Sequence, residues 1–388
     1  MQKMPEGTVL VTGNDGTIID LIPVEDAGDA VERYEGILCP GLINAHCHIE
    51  LSHLKGRIPR NTGLCSFVEQ VIGIRNNAGP ELLDAMQTAC NRMEEEGIVA
   101  VGDICNTDDS LALKKNSRLY WHNFIEISGM DSRKIVGRLE AMLRIQEKFS
   151  WALLTEKATS DKVLTDISLT PHAPYSVAPD LFREINRLTA KQVVSMHNQE
   201  SDDENLFFQN KSGHLPHLYD RLGIPMESFI PTGSSSIRSV LPAFTHMQRL
   251  ILVHNCFTSP EDLAFIKGYV EDEFIRAVSF CLCPNANRYI SGILPPVERL
   301  RKAGAMLCIG TDSLASNDRL SLVAEIRTLQ QAYPHIPLEE MLQWATHNGA
   351  RALNIEGEKG QFKKGTRPGI VHLEREATGL LTKGRRIL

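Results

Sequence analysis

A chain of 388 residues with 42% hydrophobic and 23% charged side chains can bury a sizeable core, as two ordinary domains or as one large α/β barrel. Its formal charge of −7 and the lack of a dense Lys/Arg run argue against nucleic acid as a partner, and no apolar run approaches the roughly 18–20 residues needed to cross a bilayer. The opening MQKMPEGTVLVTGNDG lacks a signal-peptide pattern, and nine cysteines without C-x-x-C spacing fit reduced core residues, so a cytosolic protein acting on a small molecule is expected.

Residues 7–24 read as two short strands joined at Asn14-Asp15-Gly16, a hairpin. From about residue 38, apolar strands alternate with amphipathic helical stretches. Strands centre on residues 39–47, 98–104, 120–127, 166–171, 192–197, 250–254, 277–283 and 306–310, with helices such as 80–96, 132–148 and 179–191 between them. Eight such units predict a (β/α)8 TIM barrel enlarged by insertions. The longest insertion, about 201–248, carries Phe207, Phe208, His214 and His217, which suits a loop-and-helix lid better than a disordered excursion. After Gly357 short strands return. They are expected to join residues 1–37 in a small β domain of residues 1–37 and 357–388, leaving 38–356 as the barrel.

The stretch PGLINAHCHIELSHLKG places His46 and His48 two residues apart, on one face of the first barrel strand, with Cys47 on the other. Alone, such a pair reads as a polar strand end. Reactive groups of barrels gather at the C-terminal ends of the strands, however, and several more of those ends are polar. Strand four ends in LTPHAPYS with His172, strand five in VVSMHNQES with His197 and Glu200, strand six in ILVHNCF with His254, and strand eight in LCIGTDSLASN with Asp312. Asp312 alone would serve as well for a helix cap. Together, His46, His48, His197 and Asp312 make an N3O donor set suited to Zn2+ or Fe2+ and too rich in nitrogen for Mg2+ or Ca2+. Glu200 competes with its reading as part of a solvated acidic run, QESDDE, in which Asp202, Asp203 and Glu204 are expected at the surface. His48-Ile49-Glu50 matches half of the cytidine-deaminase zinc signature, but the P-C-x-x-C half is absent, and Glu50 is expected at the rim of the site.

The order H-x-H, H-x-x-E, a lone His and then G-T-D resembles the amidohydrolase superfamily, in its mononuclear deaminase and chlorohydrolase-like branch, over nearly the whole chain. The resemblance implies one divalent ion per chain, Zn2+ with Fe2+ as the alternative, bound by His46, His48, His197 and Asp312. One ion rather than two is implied because DISLTPHAPYS has no lysine on strand four. It further implies that Glu200 shuttles a proton, that His254 orients the attacking water, and that Asp312 accepts a proton from it. TPHAPYS nominates His172 as a substrate contact. CPNANRYISG and GTDSLASN are similar to motifs of the aminodeoxyfutalosine deaminase group and its relatives acting on adenosine derivatives and guanine-type bases, and they nominate Arg288 and Ser316. The implied reaction is hydrolytic deamination of an amino-substituted nitrogen heterocycle, in a protein compatible with a homodimer. Halide displacement or cyclic-amide opening could use the same site, and a catalytically silent metal-binding scaffold is the reading from another class.

Overall fold

The structure, a computed structural model, describes residues 7–76, 79, 81–157, 165–226 and 229–388. Among the described residues thirteen strands run in chain order: β1 (Thr8–Thr12), β2 (Ile18–Pro23), β3 (Ile37–Pro40), β4 (Leu42–Cys47), β5 (Ile98–Cys105), β6 (Tyr120–Ile127) and β7 (Asp166–Pro171), then β8 (Val193–Asn198), β9 (Arg249–His254), β10 (Ala277–Leu282), β11 (Met306–Ile309), β12 (Ile370–Arg375) and β13 (Leu381–Arg386). β4 to β7 form one parallel four-stranded sheet and β8 to β11 another. The two sheets meet twice. Between β7 and β8, His197 N donates to His172 O (2.9 Å) and the Thr170 hydroxyl takes a place in the ladder, accepting from Ser195 N (2.8 Å). Between β11 and β4, Thr311 N donates to His46 O (2.9 Å) and Cys47 bridges Asp312 in parallel register. The result is the expected barrel.

All residues of β4, β5 and β6 are buried, as strands covered on both faces must be, and their apolar runs follow from that. The expected first strand, 39–47, divides in two. A Cβ on Gly41 would lie 2.4 Å from the Val99 methyls and 2.5 Å from Pro368 O, so only glycine allows this close approach. Before it, β3 leaves the barrel and pairs antiparallel with β12, which pairs with β13. The hairpin β1–β2 turns at residues 13–17, where Asp15 Oδ1 accepts from Thr17 N (3.0 Å), and it is tied to the C-terminal segment by Ile18 N to Thr366 O (2.9 Å). Residues 1–6 of the expected small β domain lie outside the described residues.

The expected helices form at Glu81–Glu95, Ile135–Lys157 and Pro179–Leu188; Pro80, the first residue of the expected 80–96 helix, lies outside the described residues. The 201–248 insertion, described apart from residues 227 and 228, is ordered and helical, with helices Asp202–Asn210, Leu215–Leu222 and Ser236–Val240. Its aromatics explain this: Phe207 is fully buried and stacks on Phe229 with ring centroids 4.1 Å apart, while His214 and His217 are exposed. No described helix is long and apolar enough to cross a membrane.

Candidate active site

The alternation of β4 sends His46 and His48 into the barrel mouth and Cys47 into the core outside it. His46 Nε2 and His48 Nε2 lie 3.1 Å apart, and His48 Nε2 is 3.3 Å from His197 Nε2 at the end of β8. Asp312 Oδ1 completes the group, 3.7 Å from His46 Nε2 and 3.3 Å from His48 Nε2. One ligating atom from each of the four lies within 4.8 Å of the others, and all four residues are buried.

Local sequence explains the convergence. Asn44, one turn of the pleat before His46, accepts from Thr311 N (3.1 Å) and donates to Thr311 Oγ1 (2.8 Å), clamping the chain after β11 onto β4. A Cβ on Gly310 would lie 2.8 Å from both Cys281 Sγ and the His46 Cβ, so the G-T-D glycine is required by packing. Asp312 and His254 both hold left-handed backbone conformations, φ 56° and 75°, of the strained kind that clusters at functional sites. Ser316 is buried and its hydroxyl donates to Asp312 Oδ2, leaving Oδ1 for the histidines.

Glu200 and His254 form a second pair beside the first group. Glu200 Oε2 lies 3.5 Å from His254 Nε2, and Asn287 Nδ2 donates to His254 Nδ1 (3.1 Å), which places the His254 proton on Nε2, toward Glu200. His172 is half-buried against His197, with ring centroids 4.9 Å apart. Arg288 is exposed, whereas its neighbour Asn287 is the residue that reaches the site.

The Amidohydrolase family profile matches residues 37–384. The chain belongs to the amidohydrolase family. Adenosine deaminase of Helicobacter pylori is 31% identical over 337 residues, covering 84% of this chain and 77% of that protein. Among solved structures, Helicobacter pylori aminofutalosine deaminase in complex with methylthio-coformycin superposes with a TM-score of 0.77 at 24% identity, covering 99% of this chain and 96% of that one. An adenosine deaminase from Xanthomonas campestris with bound zinc gives a TM-score of 0.71 at 23% identity, over 96% and 81%.

The electrostatics suit a cation-binding member of the family. Burial lowers the pKa of His46 and His197 and brings His48 down to about 3, so the rings are neutral and carry lone pairs. His197 Nδ1 donates to His172 O (2.8 Å), which fixes the tautomer that turns a bare Nε2 toward His48. Burial opposes ionisation of Asp312, but His46, His48 and His254 hold its carboxyl well below the usual range. Three neutral imidazole nitrogens and a carboxylate oxygen packed this closely fit a divalent ion of the zinc kind. Glu200 is the opposite case: burial first, then the charges of Asp312 and Glu204, push its carboxyl well above its ordinary value.

Three residues at the site were not singled out from the sequence. Glu126, the penultimate residue of β6, places Oε1 3.8 Å from His197 Nδ1. It is the one acidic residue in the buried strand YWHNFIEI, a signal that was there to be read. Asn287 carries no comparable signal. Glu204, expected at the surface, is fully buried, because on helix Asp202–Asn210 it shares a face with Phe207 and Phe208. Its Oε1 accepts from Gln199 N (2.8 Å) and the Ser236 hydroxyl.

Proposed function

We propose that this protein is a metal-dependent hydrolase that removes an amino group from a nitrogen heterocycle, an adenine-nucleoside-like compound of the aminodeoxyfutalosine kind or a guanine-type base. The observation that carries the reading is the pairing of a convergent His46–His48–His197–Asp312 group with a buried carboxyl, Glu200, that lies 3.5 Å from His254 Nε2 and is pushed well above its ordinary value by burial. Those four residues would hold a divalent ion, Zn2+ ahead of Fe2+, which would supply Lewis acidity of the kind that lowers the pKa of water from roughly 15.7 to about 7. Asp312, ionised, takes a proton from the attacking water. His254, with its Nε2 proton directed by Asn287, orients that water. Glu200 donates its proton to a ring nitrogen, so that the ring carbon accepts the water oxygen. The carbon–nitrogen bond to the amino group then breaks as the proton held at Asp312 passes to the departing amine, which leaves as ammonia, and Glu200 regains a proton from the new hydroxyl as the carbonyl forms. His172 and the exposed Arg288 are substrate contacts in this reading, and Ser316 acts by holding Asp312.

Halide displacement does not require protonation of its leaving group, whereas expulsion of an amine does, so a carboxyl at this place whose burial favours its protonated form favours the amine. The protein loaded with Zn2+, and separately with Fe2+, should release ammonia from adenine nucleosides or aminodeoxyfutalosine, with the ultraviolet change of adenine-to-hypoxanthine conversion. Silence on every aminopurine and on guanine, alongside efficient halide release or cyclic-amide opening, overturns the deaminase reading.

A further inference from the structure

Glu126 has a well-defined partner on one side and nothing on the other. Arg75 Nη2 donates to Asn106 Oδ1 (2.7 Å), which fixes the orientation of that amide, and Asn106 Nδ2 in turn donates to Glu126 Oε2 (2.8 Å). Oε1 is shielded and has no hydrogen-bond partner. The neighbouring His197 Nδ1 does not supply one, because its proton goes to His172 O (2.8 Å). That same bond leaves His197 without a second lone pair, so Glu126, His172 and His197, although their ligating atoms lie within 4.8 Å, do not form a second cation site.

His172 stands beside Glu126, with its Nδ1 2.6 Å from Ser176 Oγ. Glu126 Oε1 and the His172 ring lie one imidazole away from the four-residue group, and among the described residues no lysine or arginine ion-pairs with Glu126. A buried carboxylate oxygen without a partner calls for a ligand that brings hydrogen-bond donors of its own. We propose that Glu126, with His172, is the specificity determinant for the hydroxyl groups of a sugar substituent on the substrate; this rests on the deaminase reading above, in which the heterocycle lies over Glu200.

The test uses Glu126→Gln in the metal-loaded protein. Because Asn106 can only donate toward residue 126, the new amide turns its carbonyl to Asn106 and its NH2 to the position of Oε1, replacing an acceptor with a donor in the same shape. The KM for adenosine should rise about 10- to 100-fold, the loss expected for a hydrogen bond to a charged group, with kcat within about threefold. The KM for 2′,3′-dideoxyadenosine should not change. Calorimetry with inosine and 2′,3′-dideoxyinosine, which carry no amino group to lose, should show the same contrast in Kd. Equal losses on the hydroxylated and dideoxy compounds would mean that Glu126 acts through His197, and would overturn the proposal, as would parent protein that does not distinguish inosine from its dideoxy form. Parent protein that deaminates no aminopurine overturns the deaminase reading instead, and the inosine pair still decides the role of Glu126.

Discussion

Beneath His48 lies a buried ion pair whose removal should be costly. Lys114 Nζ is 2.6 Å from Asp103 Oδ2, with the two side chains 4% and 0% exposed. The ammonium also sits 3.1 Å from Cys105 Sγ and over the rings of Trp121 (5.1 Å) and Phe149 (5.3 Å). Burial opposes its charge, yet Asp103 and then Cys105 hold its pKa above the ordinary lysine value. Asp103 Oδ1 accepts from Ile49 N (2.9 Å), the peptide that follows His48. Lys114→Met keeps the length and apolar stem but strands a carboxylate in the core, which should cost about 3–5 kcal/mol. Asp103→Asn strands the ammonium and should cost a similar amount. The double variant leaves neither charge and preserves an acceptor for Ile49 N, so it should return to within about 1–2 kcal/mol of the parent. Urea denaturation followed by circular dichroism measures all four corners of this cycle, and metal content measures whether loss of the Ile49 anchor loosens His48. A Lys114→Met variant destabilised by less than about 1 kcal/mol, or a double variant as unstable as the sum of the singles, would refute the argument.

His46→Ala/His48→Ala should abolish binding of a divalent ion with the fold intact by circular dichroism; two ions per chain in the parent by elemental analysis would contradict the single-ion site. Glu200→Gln should keep its metal and lose at least ~10²-fold in kcat, because only the proton shuttle goes. Asn287→Ala should lower kcat while leaving metal content unchanged, since it frees the His254 tautomer rather than a ligand. Burial raises the Glu204 carboxyl from 4.5 to about 7. A carboxyl raised in the folded state contributes stability that is complete below the unfolded pKa and is lost as pH rises through the folded one. By about pH 8.5 its ionisation should cost roughly 3 kcal/mol, so Glu204→Gln should raise the thermal midpoint near pH 8.5 and leave it unchanged near pH 5.

The parts legible in the sequence are those in which one residue type has one physical use. Strands buried on both faces must be apolar throughout, and that made the eight barrel strands readable. One histidine pair at a strand end is an ordinary polar terminus, but histidines at the ends of several such strands converge on one rim, and that made the site readable. Legibility fails where a role depends on what lies across space. The break at Gly41 is set by Val99 and Pro368, neither nearby in sequence. Glu204 sits in an acidic run that looks solvated, and only the Phe207 and Phe208 face of its helix buries it. Asn287 and Arg288 are adjacent in the same motif, yet the helix Pro284–Ser291 turns the neutral one toward His254 and leaves the charged one exposed.

The two junctions of the barrel hold few main-chain hydrogen bonds, one supplemented by a threonine hydroxyl and the other by an asparagine amide. The four convergent residues divide evenly across those junctions: His46 and His48 belong to the β4–β7 half, His197 and Asp312 to the β8–β11 half. An ion bound there is also a clasp, and its binding free energy is spent on keeping two half-rings together. Chelation should then act as a loosening of joints. Amides of Ser195, His197 and Thr311 should exchange with solvent sooner than those in the middle of β5 or β9, and the protein should open along its seams before any strand melts.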